Sequence, residues 1–287
     1  MKKVAWIGTG VMGGNMMMHV HHAGYEVRAY NRTKEKALPY VQEGILLCDS
    51  IAECVQEADI IFTIVGYPKD VEEVYTSEQG IFAHAQKEAI CVDMTTSSPT
   101  LAVQLYEQGK IHGMSVLDAP VSGGDRGARN ATLSIMVGGE EAIFRTIKPL
   151  LETMGSPLYM GPAGSGQHTK ACNQICVAGA VAAMSEAIHY ARINGLDEAC
   201  MLEAIAKGAA GSWQIDHTAP NVLKEDFTPG FYIKHFIKDM HIVQDMMKKH
   251  GESLDMLDAV CKEYEQLAAQ GYENDGTQAL IKYYEKK

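Results

Sequence analysis

VAWIGTGVMG, residues 4–13, runs from a short apolar strand pattern through the spacing Gly-x-Gly-x-x-Gly into a helical pattern. In such a turn Gly8 permits the tight bend, Gly10 lets a diphosphate approach the backbone, and Gly13 lets the helix pack closely on the strand. The diphosphate would rest on free N–H groups at the helix N-terminus. The stretch predicts a dinucleotide-binding turn, and the alternative is a glycine-rich turn that holds no ligand. The predicted cofactor contacts in this turn are Gly8, Gly10, Val11, Met12 and Gly13.

The end of the second strand pattern, Glu26–Tyr30, bears on the choice of cofactor. An NAD site usually has Asp or Glu at this point, and that carboxylate binds the ribose hydroxyls. This chain has Asn31, Arg32 and Thr33 instead, so Arg32 can pair with a 2′-phosphate and the other two side chains can add neutral hydrogen bonds. The pattern predicts NADP(H). NAD(H) is the alternative, because the argument depends on one side chain.

Short apolar runs alternate with helical patterns through the first half of the chain, which predicts parallel strands joined by crossover helices in a doubly wound Rossmann sheet. The predicted strands are Val4–Ile7, Glu26–Tyr30, Ile60–Val65, Ala89–Asp93, Val116–Ala119 and Leu133–Val137. The predicted helices are Met12–His22, Thr33–Gln42, Lys69–Tyr75, Ser98–Gln108 and Glu140–Met154.

The pattern changes at a stretch rich in Gly and Pro, residues 161–166. One long helix is predicted from Gln167 to about Asn194, and further helices at Asp197–Lys207, Ile237–His250 and Met256–Gln270. We therefore predict a nucleotide-binding domain at 1–163 and an all-helical substrate and dimerisation domain at 164–287. The middle of the long helix is apolar nearly all round, so we expect it to be buried against a neighbouring domain or subunit, in a homodimer or homotetramer.

Composition narrows the class of protein. Of the 287 residues, 46% are hydrophobic and 21% charged, and the formal net charge is −11, so nucleic acid is not an expected partner. Seven cysteines without a Cys-x-x-Cys pair predict reduced thiols in a cytoplasmic protein. No run approaches 18 uninterrupted apolar residues, so no membrane span is expected. His19, His21 and His22 lack carboxylate or cysteine partners at ligand spacing, and we predict no metal.

Lys170 lies near the start of the long predicted helix, and Asn173 and Gln174 share its face three and four residues later. A lysine at this end faces the positive end of the helix dipole, which favours the neutral amine. That tendency suits a group that exchanges protons near neutral pH. Taken alone, this position favours an ordinary surface lysine.

Four segments in this order resemble the β-hydroxyacid dehydrogenases, a family that includes 3-hydroxyisobutyrate dehydrogenase, tartronate semialdehyde reductase and the glyoxylate/succinic semialdehyde reductases. They are IGTGVMGGNM near the N-terminus, DAPVSGG from Asp118 with LSIMVGG from Leu133, GSGQHTKACNQ from Gly164, and FTPGF from Phe227 with KDM from Lys238. The resemblance covers essentially the whole chain. It implies hydride transfer between NADP(H) and a small β-hydroxy acid, semialdehyde or keto acid.

The resemblance also implies roles for single residues. Lys170 matches the catalytic lysine, which gives a proton to the carbonyl oxygen in reduction and takes it back in oxidation. Ser122, Gly123 and Gly124 match the segment that holds the substrate carboxylate, and backbone N–H groups in a glycine turn form a natural anion nest. Asn173 and Gln174 match the family's two consecutive asparagines. The matched cofactor residues beyond the glycine turn are Val65, Tyr67, Thr96, Phe231 and Lys238, with Phe231 and Trp213 also candidates for pocket walls or plain helix packing.

One departure from the family leaves the substrate open, and two alternative functions remain. Gln174 stands where the family has a second Asn, and the longer side chain leaves the pocket depth and the substrate undecided among glyoxylate and the succinic, tartronate and methylmalonate semialdehydes. An imine reductase on the same fold is one alternative, although such enzymes usually lack a lysine at this position. A non-catalytic dinucleotide-binding module is the other, but such a module needs neither Lys170 nor the Ser122–Gly124 turn.

Overall fold

The computed structural model describes residues 2–285. Contacts between Cα atoms divide the chain into two compact units, Met1–Lys170 and Ala171–Lys287. The long helix begins in the first unit and continues through the second. The domain boundary at 163/164 stays a prediction.

The first unit is built on one sheet. Its strands are Lys3–Ile7 (β1), Glu26–Tyr30 (β2), Leu46–Leu47 (β3), Ile60–Thr63 (β4), Ile90–Asp93 (β5), Ser115–Asp118 (β6), Val121–Ser122 (β7), Leu133–Gly138 (β8) and Gly155–Gly161 (β9). Its helices are Val11–His22 (α1), Leu38–Val41 (α2), Ile51–Val55 (α3), Pro68–Thr76 (α4), Ile81–His84 (α5), Pro99–Ile111 (α6), Gly124–Arg129 (α7) and Glu141–Leu151 (α8).

The strand order is β3-β2-β1-β4-β5-β6, and all pairs in this part of the sheet are parallel. This is the doubly wound order 3-2-1-4-5-6, so the predicted fold class is confirmed. β8 then pairs antiparallel with β6 and β7 and parallel with β9. In this order the carboxyl ends of β1 and β4 lie side by side where the strand sequence reverses, which is where such sheets bind nucleotides.

Both faces of the sheet are covered by buried hydrophobic side chains, as the residues of β1 show. Val4 and Trp6 belong to one buried hydrophobic cluster, and Ala5 and Ile7 belong to another. Successive side chains of a strand point to opposite faces, so the two clusters lie on the two sides of the sheet. Because both sides are buried, the strand appears in the sequence as a continuous apolar run rather than as an alternating one.

Two departures from the predicted elements have clear physical causes. Thr33–Gln42 was predicted as one helix but forms a 3-10 turn at Lys34–Lys36 and then α2, because Pro39 lacks an N–H and its ring clashes with a preceding carbonyl in a continuous helix. β9 was not predicted. It contains Pro157, and its other residues are partly buried or exposed, which weakens the strand signal; the strand forms by pairing with β8.

The second unit is helical. After the long helix Ser165–Ile193 (α9) come Glu198–Ala206 (α10), Trp213–His217 (α11), Ala219–Leu223 (α12), Ile233–Lys249 (α13), Asp255–Leu267 (α14) and Ile281–Glu285 (α15). Its core contains Met184 and Ile188 of α9, together with Phe236 and Tyr264. The rings of Phe236 and Tyr264 meet edge to face at 5.2 Å and join α13 to α14.

The apolar middle of α9 is less buried within the chain than we expected. One third of its most apolar 18-residue window is buried, and by length and composition alone this helix could cross a membrane. A core helix of a soluble protein meets the same two criteria. The absence of a membrane span therefore stays a prediction.

Candidate active site

The glycine turn between β1 and α1 has the geometry that the sequence predicted. Gly8 has a φ of +104°, and a Cβ there would lie 2.1 Å from the carbonyl oxygen of Ile64. A Cβ on Gly13 would lie 2.1 Å from the carbonyl oxygen of Gly8. A Cβ on Gly10 would meet no other atom within 4 Å, so the space beside this glycine is open to a ligand.

A cavity of about 510 Å³ in the first unit lies beside this turn. Six of the predicted cofactor residues line it: Gly8, Gly10, Asn31, Arg32, Thr33 and Val65. The cavity therefore brings together the glycine turn, the end of β2 and the residue two positions beyond β4. Val11, Met12 and Gly13 begin α1, Tyr67 precedes α4, and Thr96 follows β5.

Asn31 connects two of these loops. Its Oδ1 accepts a hydrogen bond from the Thr9 N–H at 2.9 Å, and its Nδ2 donates to the Thr33 carbonyl at 2.7 Å. The amide thus holds the glycine turn against the end of β2. The predicted hydrogen bond of Asn31 to the cofactor stays a prediction.

Arg32 is exposed at the cavity and pairs with Asp70. Its Nη1 lies 3.2 Å from Oδ1 of Asp70, and the other carboxylate oxygen accepts the Tyr67 N–H at 3.0 Å. Asp70 therefore fixes the start of α4 and holds the guanidinium beside the cavity. Sequence analysis foresaw a cation here but missed its carboxylate partner, because the two residues are 38 positions apart. Lys36 also lines the cavity and supplies a second positive charge.

Two buried hydroxyls fit a bound nucleotide. Thr9 Oγ1 in the glycine turn and Ser97 Oγ in the loop after β5 have no hydrogen-bond partner among residues 2–285. A buried polar group without a partner costs free energy, which a ligand oxygen can offset. The open face of Gly10 and the Thr9 hydroxyl of the same turn agree with a dinucleotide whose phosphates lie on the turn.

The start of α9 is held by a buried carboxylate. Oδ1 of Asp118 accepts the Gly164 N–H and Oδ2 accepts the Gln167 N–H, both at 2.8 Å. These N–H groups belong to the helix N-terminus and have no partner within the helix, so Asp118 acts as its cap. Burial raises the pKa of the Asp118 carboxyl, and the donated hydrogen bonds oppose that shift.

Gln167 connects the same helix to a second loop. Its Oε1 accepts the Ser97 N–H at 2.9 Å, and its Nε2 donates to the Thr95 carbonyl at 2.7 Å. Thr96, a predicted cofactor residue, lies between these two contacts. Lys170, three residues after Gln167, is buried with 7% of its surface exposed. It is therefore not an ordinary surface lysine.

A second buried carboxylate lies at the end of β5. Asp93 Oδ1 accepts the Thr63 hydroxyl at 2.8 Å and the Thr95 N–H at 3.2 Å. Burial raises the pKa of Asp93 to about 6, and the nearby charge of Asp118 acts in the same direction. The hydrogen bonds from the two threonines lower it and only partly offset the burial.

The predicted carboxylate-binding segment forms a turn between β7 and α7. Ser122 ends β7, and Gly123 and Gly124 follow with φ values of +132° and +60°. Residues with a side chain rarely adopt such angles, so the two glycines permit the turn. Asp118 stands four residues before Ser122, so one segment caps α9 and also supplies the candidate anion nest.

In the second unit Asp239, which the sequence did not single out, links the predicted residues Asn173, Gln174 and Lys238. Gln174 Nε2 donates to Asp239 Oδ2 at 2.6 Å, and Gln174 Oε1 accepts from Asn173 at 2.7 Å. Lys238 Nζ lies 2.8 Å from the other oxygen of Asp239. Asp239 thus connects α9 with α13. The segment Lys238–Met240 belonged to the resemblance, but its carboxylate was not singled out.

The two aromatic candidates lie in different surroundings. Phe231 packs on Phe236 with ring centroids 5.6 Å apart. Trp213 is half exposed and stacks on His217. Their predicted roles as pocket walls stay predictions.

Comparison with known proteins identifies the family. A model described as the NAD binding domain of 6-phosphogluconate dehydrogenase matches residues 3–172. A model described as NAD-binding of NADP-dependent 3-hydroxyisobutyrate dehydrogenase matches residues 164–284. The chain belongs to the β-hydroxyacid dehydrogenase family.

Individual proteins match over nearly the whole chain. An uncharacterised oxidoreductase of Bacillus subtilis is 48% identical over 286 residues, 99% of each chain. A probable mitochondrial 3-hydroxyisobutyrate dehydrogenase-like protein of Arabidopsis thaliana is 42% identical and covers 97% of this chain and 84% of its own. The structure of Mycobacterium tuberculosis 3-hydroxyisobutyrate dehydrogenase with L-serine superposes with a TM-score of 0.89 at 30% identity, covering 98% of both chains.

As a β-hydroxyacid dehydrogenase the protein is an oxidoreductase of small hydroxy acids that binds a pyridine nucleotide. The family predicted from four sequence segments is therefore confirmed. Sequence analysis missed the carboxylates Asp70, Asp118 and Asp239, which fix the predicted residues in place. Asp118 and Asp239 lie inside the sequence segments that resemble the family, so the resemblance could have identified them as candidate site residues.

Proposed function

We propose that this protein transfers a hydride between NADP(H) and a short aldehyde or keto acid, with Lys170 as the proton donor and acceptor. The observation that supports it most is the hydrogen-bond network in the first unit. Asp118 joins the carboxylate-binding segment to the start of α9, and Gln167 joins that start to the loop of Thr96. Two sequence segments of the family and the loop of Thr96 are thereby joined at the start of the helix that carries the buried Lys170.

Each residue has a defined part in this reaction. When bound, the nicotinamide supplies a hydride for reduction or accepts one in oxidation. The ammonium of Lys170 donates a proton to the carbonyl oxygen in reduction, and the amine takes the proton back in oxidation. The N–H groups of Ser122, Gly123 and Gly124 hold the substrate carboxylate. Asn173 donates a hydrogen bond to a substrate oxygen.

The role of Lys170 is tested by Lys170→Ala. We expect NADPH binding, measured by fluorescence titration, to stay nearly intact while turnover falls by about 10²–10⁴-fold, the range for loss of a positioned acid or base. Lys148→Ala is the matched control, because Lys148 is half exposed on α8 and pairs with Glu152. A turnover of Lys170→Ala within about tenfold of the wild type would remove the lysine from this role.

The preference for NADP(H) is supported by the charges at the cavity. Arg32 offers five N–H donors, and the ion pair with Asp70 leaves others for a 2′-phosphate. Lys36 adds a positive charge to the same cavity, whereas Asp70 opposes the phosphate. We expect Arg32→Asp to shift the ratio of kcat/KM values from NADPH toward NADH. An unchanged ratio would contradict the assignment of Arg32.

The substrate is identified with a panel of short aldehyde and keto acids, followed as loss of NADPH absorbance. The panel includes glyoxylate and the succinic, tartronate and methylmalonate semialdehydes, together with a cyclic imine. Reduction of the imine alone would support the imine reductase alternative. Binding of NADPH without turnover of any compound would support the non-catalytic alternative.

The proposal includes a homodimer or homotetramer in the cytoplasm, with no nucleic acid or membrane partner. It is supported by the net charge of −11 and by apolar side chains of α9 such as Ile193, of which 68% is exposed. Analytical ultracentrifugation tests the oligomeric state. A monomer at micromolar concentration would contradict it.

A further inference from the structure

Three side chains of types that can bind a metal ion meet between α13 and α14. None of them belongs to the candidate active site, although Lys238 and Asp239 lie nearby on α13. The three are His241 of α13 and Cys261 and Glu265 of α14, and their ligand atoms all lie within 4.8 Å of one another. Nε2 of His241 lies 2.7 Å from Oε1 of Glu265. We refer to these three residues as the His-Cys-Glu cluster.

The helix periodicity explains why they meet. Cys261 and Glu265 are four residues apart on α14 and therefore share one face. On α13, His241 and Gln244 are three residues apart and share the facing side. Oε1 of Gln244 lies 3.9 Å from Sγ of Cys261, so a fourth donor atom borders the cluster.

The burial and charge of the cluster favour a cation. His241 and Glu265 are about half exposed, whereas Cys261 is 1% exposed, so the cluster reaches from the surface to the buried thiol. Burial is the largest cause that raises the pKa of the Cys261 thiol to about 12, and the negative charges of Glu265 and Asp258 raise it further. A divalent cation would compensate the negative charges of these carboxylates and of the thiolate that it binds, and the half-exposed side chains give it a route of entry.

We propose that the His-Cys-Glu cluster binds one Zn²⁺ ion. An imidazole nitrogen, a thiolate and a carboxylate oxygen are a ligand set that suits zinc, whereas Mg²⁺ and Ca²⁺ take oxygen ligands. Gln244 Oε1 or a water completes four-fold coordination. The metal replaces the proton of the Cys261 thiol, which is released to solvent, and no electron is transferred.

The distances are compatible with tetrahedral zinc after small side-chain movements. Zinc bonds of roughly 2.0–2.3 Å place neighbouring ligand atoms about 3.3–3.7 Å apart. The imidazole and the carboxylate, now 2.7 Å apart, would separate by somewhat less than 1 Å. The most distant pair of the cluster, up to 4.8 Å apart, would approach by roughly 1 Å, which side-chain torsions can supply.

The bound ion would join α13 to α14 one helical turn from Lys238. The two helices already share the Phe236–Tyr264 contact and the His241–Glu265 hydrogen bond, and the ion would bind side chains of both helices directly. We therefore expect zinc to raise the melting temperature. The sequence-based prediction of no metal considered only His19, His21 and His22, and the 20 residues between His241 and Cys261 form no short ligand motif.

The test is metal binding by the purified, tag-free full chain. We expect one Zn²⁺ per chain in competition with a chromophoric chelator, and Co²⁺ in its place should give a thiolate-to-cobalt charge-transfer band. Cys261→Ser should abolish the band, and His241→Ala and Glu265→Gln should weaken zinc binding by roughly tenfold or more. His241 and Glu265 lie at the surface, so their variants test the site even if Cys261→Ser does not fold.

Other thiols require a control, because Cys172 and Cys176 are exposed and four residues apart on α9. The Cys172→Ser/Cys176→Ser variant should keep the cobalt band and the zinc affinity of the wild type. Zinc binding that is lost in this variant, or that survives both His241→Ala and Glu265→Gln, would overturn the proposal. So would the absence of a cobalt–thiolate band in the wild type.

Discussion

Asp93 should make the first unit less stable as the pH rises from about 4 to about 7. Its carboxyl is 4% exposed at the end of β5, where burial raises its pKa from the ordinary 3.8 to about 6. In the pH range between these values the folded protein keeps a proton that the unfolded chain has released. The free energy of unfolding therefore falls with rising pH until the folded carboxyl has also ionised.

The size of this effect follows from the two pKa values. They differ by roughly 2, and each pKa unit corresponds to about 1.36 kcal/mol, so the ionised carboxylate costs about 3 kcal/mol at pH 7. Asp93→Asn removes the charge and keeps an oxygen that can accept the Thr63 hydroxyl and the Thr95 N–H. We expect the variant to gain about 3 kcal/mol relative to the wild type between pH 4 and pH 7.

The assay is urea unfolding at several pH values, followed by tryptophan fluorescence. A Trp213→Phe background leaves the fully buried Trp6 as the reporter of the first unit. Asp245→Asn is the control, because Asp245 is exposed and its loss should leave the pH dependence unchanged. Parallel stability curves for the wild type and Asp93→Asn would refute the reasoning.

Further variants separate binding from folding. Gly10→Ala should leave the melting temperature unchanged, because its Cβ would meet no protein atom within 4 Å. The same Cβ would occupy the space that the diphosphate needs, so NADPH binding should weaken at least tenfold. Gly13→Ala should lower the free energy of unfolding of the cofactor-free protein by roughly 1–3 kcal/mol, and with it the melting temperature, because its Cβ would lie 2.1 Å from a carbonyl oxygen. Asp118→Ala leaves two helix N–H groups without their acceptor and should cost on the order of 2–6 kcal/mol. Asp118→Asn should recover part of this loss and shift the pH profile of kcat. If Asp118→Ala were as stable as the wild type, the capping role of Asp118 would be contradicted.

The glycine turn and the sheet that supports it were predictable because their signals are local. Gly8, Gly10 and Gly13 form a motif within ten residues of chain, and the buried parallel strands appear as continuous apolar runs. Short elements such as α3 and β3 gave no periodic signal, since they span five and two residues.

The amino-acid sequence by itself determined the fold class, the family and the residue types of the candidate site, because each depends on contiguous motifs. The tertiary structure decided which buried carboxylates hold those residues: Asp70 beside Arg32, Asp118 at the start of α9, and Asp239 beside Gln174. These partners are 38 to 65 positions apart. A hydrogen bond over such a separation leaves no period or spacing in the sequence, and only the packing of the helices and the sheet brings its two ends together.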